Sequence, residues 1–402
     1  RPDGQGAVSR AALGWPPARF ALPEALAARW RGAGSRGAGA RRSWLKRRAR
    51  HPLRTEFERC LGGRLPEGWN APLAALRAEF AEARAAAAPE AASDKVLGAL
   101  LPAIPELLGA AAGPGEAAAP EGIPVLAPGA YGGRFIPCGL REHGMAAVMN
   151  GLTLHGGVIP YAITTLAGSD YLRPALRLAA LMRQRVIHLL TADGIGLGAA
   201  GPAHQPVEQL ASLRCLPNLH LFRPADAIET AEAWELALRR TDGPSVLALA
   251  SQPLPALRPD AAENRSARGG YVLAEADGPR RATLIASGSE VALALAARDL
   301  LAAEGLPAAV VSLPCFELFA RQDEQWREGV LGTAPRFGLE AACGFGWERW
   351  LGAEGQFIGL GGFGASAPAE DLYRHFGLTA EAVATAVRRR IARPTEGDTT
   401  WP

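Results

Sequence analysis

Short apolar runs alternating with longer amphipathic ones restrict this chain more than any other feature. Val186 to Leu190 (VIHLL), Leu219 to Phe222 and Val246 to Ala250 read as buried strands. Glu142 to Thr153, Tyr171 to Met182 and Ala227 to Arg239 read as helices, with Pro174 suited to the first turn of the second. Strands alternating with helices of this length form a parallel sheet covered on both faces. The pattern resumes after a polar, Pro-containing boundary between Pro253 and Gly270. There YVLAEA, ATLIASGSEVALALAARDLLAAEG and AAVVSLP run strand, Gly-Ser turn, amphipathic helix, strand. The expected fold class is α/β, with two parallel-sheet, three-layer domains. Backbone N–H groups at Gly288, Ser289 and Glu290 open the second helix and could hold an anion; an ordinary βα turn reads equally well.

A chain of 402 residues has room for two or three domains, each with a full core. With 48% hydrophobic and 21% charged residues it reads as soluble and globular, and a net charge of +3 argues against a nucleic-acid partner. No apolar run approaches the roughly 18 residues of a membrane span, and RPDGQGAVSR lacks a signal-peptide core. The first residue is Arg1 rather than Met, as in a fragment or a processed product. Cys60, Cys138, Cys215, Cys315 and Cys343 are odd in number and widely spaced, which suits free thiols in a reducing cytoplasm. No pattern marks Cys138 as a nucleophile.

The first 66 residues read as irregular and basic. Arg31, Arg36, Arg41, Arg42, Lys46, Arg47, Arg48 and Arg50, with Trp30 and Trp44 interleaved, suit a solvated linker helix better than a nucleic-acid patch. Gly32, Gly34, Gly37 and Gly39 weaken any helix there. Leu73 to Ala88 is helix-prone, and Ser93 to Leu108 is helical with interruptions at Pro102 and Pro105. Ala110 to Gly122 (AAAGPGEAAAPEG) reads as a loop, with strands beginning near Ile123 to Leu126 and at Phe135.

Arg134 to Pro160 carries a chemical signal. Glu142 stands among Gly139, Leu140, Gly144, Met145 and Ala146. A carboxylate in such company loses hydration and is set to share a proton rather than form a surface ion pair. The plain alternative is an acid at a helix N-terminus. The longer strings GLREHGM, NGLTLHGGVIPY, TADGIGLGAAGPAHQPVEQLASLR, NLHLFRPADAIET and GASAPAEDLYRHFG resemble the transketolase family over nearly the whole chain.

That resemblance implies a linker and remnant over residues 1–80, a pyrimidine-binding domain over 81–262 and the transketolase C-terminal domain over 263–402. It implies that Glu142 hydrogen-bonds a ring nitrogen of the aminopyrimidine of thiamine diphosphate, which favours the imino tautomer that deprotonates the thiazolium carbon. It implies that Tyr171 packs near the aminopyrimidine and that His204 assists at the donor carbonyl. Arg141 and His143 are then structural, while Glu208 and Arg214 support the His204 loop. The family reaction moves a two-carbon ketol unit from a ketose phosphate to an aldose phosphate, in the cytoplasm, as in the pentose phosphate pathway. Only the aminopyrimidine end of the cofactor is expected here. The diphosphate-binding domain, with its magnesium, precedes the linker in the family and is expected to be absent. The expected partner is therefore a second copy, or a chain carrying that domain. Ala192-Asp193-Gly194 with Asn218 superficially matches the family's magnesium motif, but its surroundings match a substrate-side loop.

The departures from the family are as informative. Thr165 and Gly168 stand where aromatics wall the aminopyrimidine. Ala192 replaces a phosphate-binding histidine, Ser251 a phosphate-binding arginine and Glu90 another expected arginine. Ala199-Ala200 replaces an acidic pair, and Ala110 to Gly122 replaces a G-S-A-D-L-T segment. Three alternatives stay open: a catalytically degenerate paralogue acting as a structural or regulatory subunit, one subunit of a split enzyme, and the β-subunit of a 2-oxoacid dehydrogenase. HQPVEQLASLR favours the transketolase side.

Overall fold

The computed structural model describes residues 3–15, 18, 20–113, 119 and 122–392. It divides into two compact units, Arg1–Glu58 and Arg59–Pro402. Among the described residues no helix is long and apolar enough to cross a membrane.

The first unit is helical, where an irregular segment was expected: α1 (Asp3–Ala12), α2 (Glu24–Ser35), α3 (Ala38–Arg50) and the start of α4 (Arg54–Leu61). Each interior glycine costs a helix about 1 kcal/mol, but Ala, Leu and Arg occupy most other positions and favour it. Between α2 and α3 the helix breaks only around Arg36 and Gly37. Neither α2 nor α3 has a buried residue. The Arg48 guanidinium lies 4.9 Å from the Trp44 ring, whose edge meets Phe57.

The second unit holds two sheets. The first comprises β1 (Leu107–Ala112), β2 (Phe135–Gly139), β3 (Ile159–Thr165), β4 (Ile187–Thr191), β5 (His220–Phe222) and β6 (Ser245–Leu249). All strands are parallel, in the order β2-β1-β3-β4-β6-β5. Helices α5 (Ala71–Ala83), α6 (Pro89–Ala103) and α10 (Ala227–Arg239) pack through a core containing Leu73, Leu97, Tyr161 and Trp234. Helices α7 (Glu142–His155), α8 (Ser169–Leu181) and α9 (Gln209–Arg214) bring Met145, Leu172 and Leu213 into other clusters.

Three local expectations fail here. The alanines from Ala110 form the buried strand β1, not a loop. Small side chains fit because the neighbouring strand is bulky: a Cβ on Gly109 would lie 2.3 Å from the Tyr161 ring. Most of the remaining stretch to residue 121 lies outside the described residues. Helix α8 begins two residues early, so Pro174 falls past its first turn. The Ile123 to Leu126 stretch makes a single bridge, Val125 to Phe135.

The second sheet comprises β7 (Tyr271–Ala274), β8 (Ala282–Ala286), β9 (Ala308–Ser312), β10 (Arg336–Leu339) and β11 (Gln356–Ile358), in the order β11-β10-β8-β9-β7. It is parallel except for its edge strand β7, which runs antiparallel to β9. Helices α11 (Glu290–Ala303) and α16 (Ala380–Ile391) pack on one face. Helices α12 (Phe316–Ala320), α13 (Glu324–Leu331) and α14 (Glu348–Leu351) pack on the other around Phe316, Trp347 and Trp350, and α15 (Ala369–His375) lies near the end.

Candidate functional site

In open parallel sheets, ligands bind beyond the carboxyl ends of the strands. That rim gathers the candidate residues. Glu142 follows β2 and is the first residue of α7. Gly139 (φ +60) turns the chain at the strand end, and Arg141 donates from Nη1 to the Cys138 carbonyl at 2.9 Å. Glu142 is half-buried, and its carboxylate accepts no hydrogen bond from the described residues. Leu140 beside it is 71% exposed. Burial raises the neighbouring Cys138 thiol above its usual range, which works against a thiolate nucleophile.

Tyr171 follows β3 in the first turn of α8, with its ring 72% exposed. The turn before it is closed. The Gly168 N–H donates to Thr165 Oγ1 at 3.0 Å, and a Cβ on Gly168 would meet Thr164 Oγ1 at 2.7 Å. An aromatic side chain at Gly168 would require this turn to open.

His204 is exposed on the loop after β4. The next residue clamps that loop to the second sheet's side of the molecule. Buried Gln205 donates from Nε2 to the carbonyls of Gly198 (2.7 Å) and Ala365 (2.9 Å), and Ser366 Oγ donates to the Ala199 carbonyl at 2.8 Å. Glu142, Tyr171 and His204 thus share the same end of the sheet, and no hydrogen bond joins them.

Three of the departures from the family pattern do meet. Ser251 Oγ donates to Glu90 Oε2 at 2.6 Å and accepts the Ala192 N–H at 3.2 Å. The Glu90 N–H donates to the Ala250 carbonyl, tying the start of α6 to the end of β6. No described Lys or Arg pairs with Glu90. One turn along α6, burial and then the Glu90 charge push the Asp94 carboxyl above its ordinary range.

Asp193 is already committed. It accepts from Arg223 Nε at 2.8 Å, and both side chains are buried. Arg223 also bonds Glu290 and donates to the Ser287 carbonyl at 2.8 Å. Glu340 takes a bidentate pair from Arg214 (2.7 Å each), the Ser287 hydroxyl (2.6 Å) and the Trp347 indole N–H (2.9 Å). Burial pushes Asp193 up to about 6 against the pull of Arg223. Burial would raise Glu340 too, but Arg214 and then Arg223 hold it at about 2. This network joins the two sheets. Arg214 therefore bonds across to the second sheet rather than within its own loop.

The network also overturns the anion reading at Gly288-Ser289-Glu290. The Glu290 carboxylate is itself buried there, bound to Arg223 and to the Tyr373 hydroxyl (2.7 Å). A Cβ on Gly288 would lie 2.8 Å from the Arg223 side chain. Asn218 donates to the carbonyls of Ala180 and Asp242, a structural role. Among the described residues, no group of three or more His, Cys, Asp and Glu side chains could hold a metal ion. Sequence reading missed Arg223 and Glu340, and read Glu290 only for its backbone N–H rather than for its buried carboxylate. Arg223 and Glu290 lie in the strings LFRPAD and SGSE, but nothing local shows that they pair.

Residues 86–256 match the model of the transketolase pyrimidine-binding domain, and residues 269–379 that of the transketolase-like C-terminal domain. The transketolase of Cereibacter sphaeroides is 48% identical over 391 residues, covering 96% of this chain and 59% of that protein. The transketolase structure from Leishmania mexicana has a TM-score of 0.85 at 34% identity, covering 98% of this chain and 58% of that one. A Pichia stipitis transketolase in complex with sedoheptulose 7-phosphate has a TM-score of 0.84 at 33% identity, covering 93% and 56%. The chain thus spans about three-fifths of the length of the curated relatives it matches. With two adjoining domain models matched in family order, the chain belongs to the transketolase family, of which it carries the pyrimidine-binding and C-terminal domains.

Proposed function

We propose that this chain supplies the aminopyrimidine half of a thiamine-diphosphate-dependent site that transfers a two-carbon ketol unit between sugars. The observation that carries this is Glu142, a half-buried carboxylate at the sheet rim that takes no hydrogen bond from the described residues. A free acceptor there suits the protonated ring nitrogen of an aminopyrimidine, and the exposed Leu140 and Tyr171 offer apolar surface to its ring. The diphosphate end fits poorly, because Asp193 is held by Arg223. Magnesium and the diphosphate then belong to the family's diphosphate-binding domain, elsewhere in the protein or on a partner chain.

The cofactor supplies the nucleophilic carbon and the electron sink. In this reading Glu142 holds the proton at the ring nitrogen and Tyr171 covers the ring. His204 moves a proton at the donor carbonyl oxygen. The bonds of Gln205 and Ser366 to the surrounding backbone support that role by restraining the His204 loop.

The far end of the sugar meets Glu90, Ser251 and Ala192. A phosphate there would face the Glu90 carboxylate, with which no described Lys or Arg pairs. The reading is therefore of a site that does not prefer phosphorylated sugars. The bond between Ser251 and Glu90 supports it, because it brings together positions 161 residues apart. The experiment is ketol transfer from xylulose and from xylulose 5-phosphate, with the chain completed by a diphosphate-binding domain. Similar KM values for the two donors are expected. Ser251→Arg with Glu90→Arg should shift preference toward the phosphate by roughly a hundredfold or more, from two charge-assisted bonds of about 1.5–3 kcal/mol each. A strong phosphate preference in the unmodified enzyme would contradict the substrate reading.

The closed turn at Thr165 to Gly168 favours a second reading, a structural or regulatory subunit without catalysis. That reading takes over if no sugar turns over in the completed assembly and Glu142→Gln changes no measurable property.

A further inference from the structure

A cleft of about 690 Å³ opens on the second sheet's β7 edge, away from every residue assigned above. Its volume falls in the ordinary range for small-molecule sites, about 300–1,000 Å³. Its walls come from three elements: the 3₁₀ turn Arg265–Arg268, the edge strand β7 and one side of α13. In a 3₁₀ turn, residues three apart lie over one another. Arg265 and Arg268 therefore leave the turn on the same side, and both line the cleft.

Their charges are poorly matched locally. Arg268 makes no hydrogen bond or ion pair with the described residues; its guanidinium lies 3.9 Å from the Trp326 ring. Arg265 reaches Asp260 at 3.5 Å between part-exposed groups, and its guanidinium lies 5.6 Å from the Tyr271 ring. Two lining carboxylates, Glu263 and Asp323, are exposed, and one oxygen of Asp323 is already taken by the Trp326 backbone N–H. The Trp326 indole N–H and the Asn264 Oδ1 are buried with no partner among the described residues, leaving a donor and an acceptor spare on lining residues. The buried floor is Tyr271, whose hydroxyl is held by Glu229 at 2.7 Å, so its ring is fixed. Strand β7 pairs only with β9, which leaves its other edge open.

We infer that this cleft binds a phosphomonoester attached to a flat ring, a molecule of mononucleotide size. Two guanidiniums on one side of a turn suit a dianion better than a single carboxylate, because each offers a planar fork of donors. The stacked Arg268–Trp326 pair suits a planar group beside it, while the buried Tyr271 ring, already met by the Arg258 and Arg265 guanidiniums, holds the floor in place.

The test is calorimetric titration of the intact 402-residue chain with adenosine 5′-monophosphate, adenosine and inorganic phosphate. Adenosine monophosphate should bind, with adenosine and phosphate each at least about tenfold weaker. Arg268→Ala should weaken binding about tenfold or more, and Arg268→Lys by less, since it keeps the charge but not the fork. Thermal midpoints should match the parent, because Arg268 is exposed. Undetectable binding at millimolar nucleotide would overturn the inference. So would unchanged affinity in a folded Arg268→Ala chain, or inorganic phosphate binding as well as the nucleotide. If the Ala variant unfolds, Arg268→Lys and Arg265→Lys carry the same comparison.

Discussion

His188 sits in the middle of β4, fully buried, and neither ring nitrogen has a partner among the described residues. Burial pushes its pKa down to about 4 from an ordinary 6.5. The folded state therefore binds its proton later than the unfolded state does. Its contribution is present above about pH 6.5 and is lost as pH falls toward about 4. Leucine at this position keeps the volume and removes two unsatisfied polar atoms. We expect His188→Leu to be more stable than the parent, with an advantage about 2 kcal/mol larger near pH 5 than near pH 7. Denaturant unfolding at the two pH values checks this; a pH-independent difference would mean that the imidazole finds a proton partner. Single residues also show where sequence reading stops. The replacements at Glu90, Ser251 and Ala192 are visible one at a time. Their joining by hydrogen bonds is visible only in three dimensions.

At the scale of elements, legibility followed local signals. Helix α10 begins and ends where its pattern says, with the Asp226 side chain capping the Glu229 N–H at 2.8 Å. Strand β1 carries no such signal. Ala and Gly are poor strand formers, and only the bulk of Tyr161 across the sheet explains their use. The glycine-bearing helices α2 and α3 erred the other way, because propensity summed over the whole segment outweighs a few glycines. The join between the sheets was wholly illegible, since Arg214 and Glu340 lie 126 residues apart. Removing one charge there leaves guanidiniums buried without their match. Glu340→Gln should cost about 3–5 kcal/mol, read from urea unfolding. A loss below about 1 kcal/mol would show that water or rearrangement replaces the carboxylate.

For the whole molecule, the exposed apolar side chains of α7 and α8 matter most. Val148, Leu154, Tyr171, Leu178 and Leu181 are each between 46% and 72% exposed, on the two helices that carry Glu142 and Tyr171. Exposed apolar surface beside a site marks an interface. We expect a dimer at micromolar concentration, dissociated by Leu178→Glu with Leu181→Glu; a single-subunit mass of the parent in light scattering would count against it. The central claim, that this chain brings the aminopyrimidine half of a ketol-transfer site, meets its most direct test in one assay. The 402-residue chain is given thiamine diphosphate, magnesium, a ketose donor and an aldose acceptor, alone and with a diphosphate-binding domain, as parent and as Glu142→Gln. The account predicts no turnover alone, turnover when completed, and a loss of about a hundredfold or more on Glu142→Gln with the thermal midpoint unchanged. Turnover by the chain alone, or a Glu142→Gln assembly as active as the parent, would contradict it.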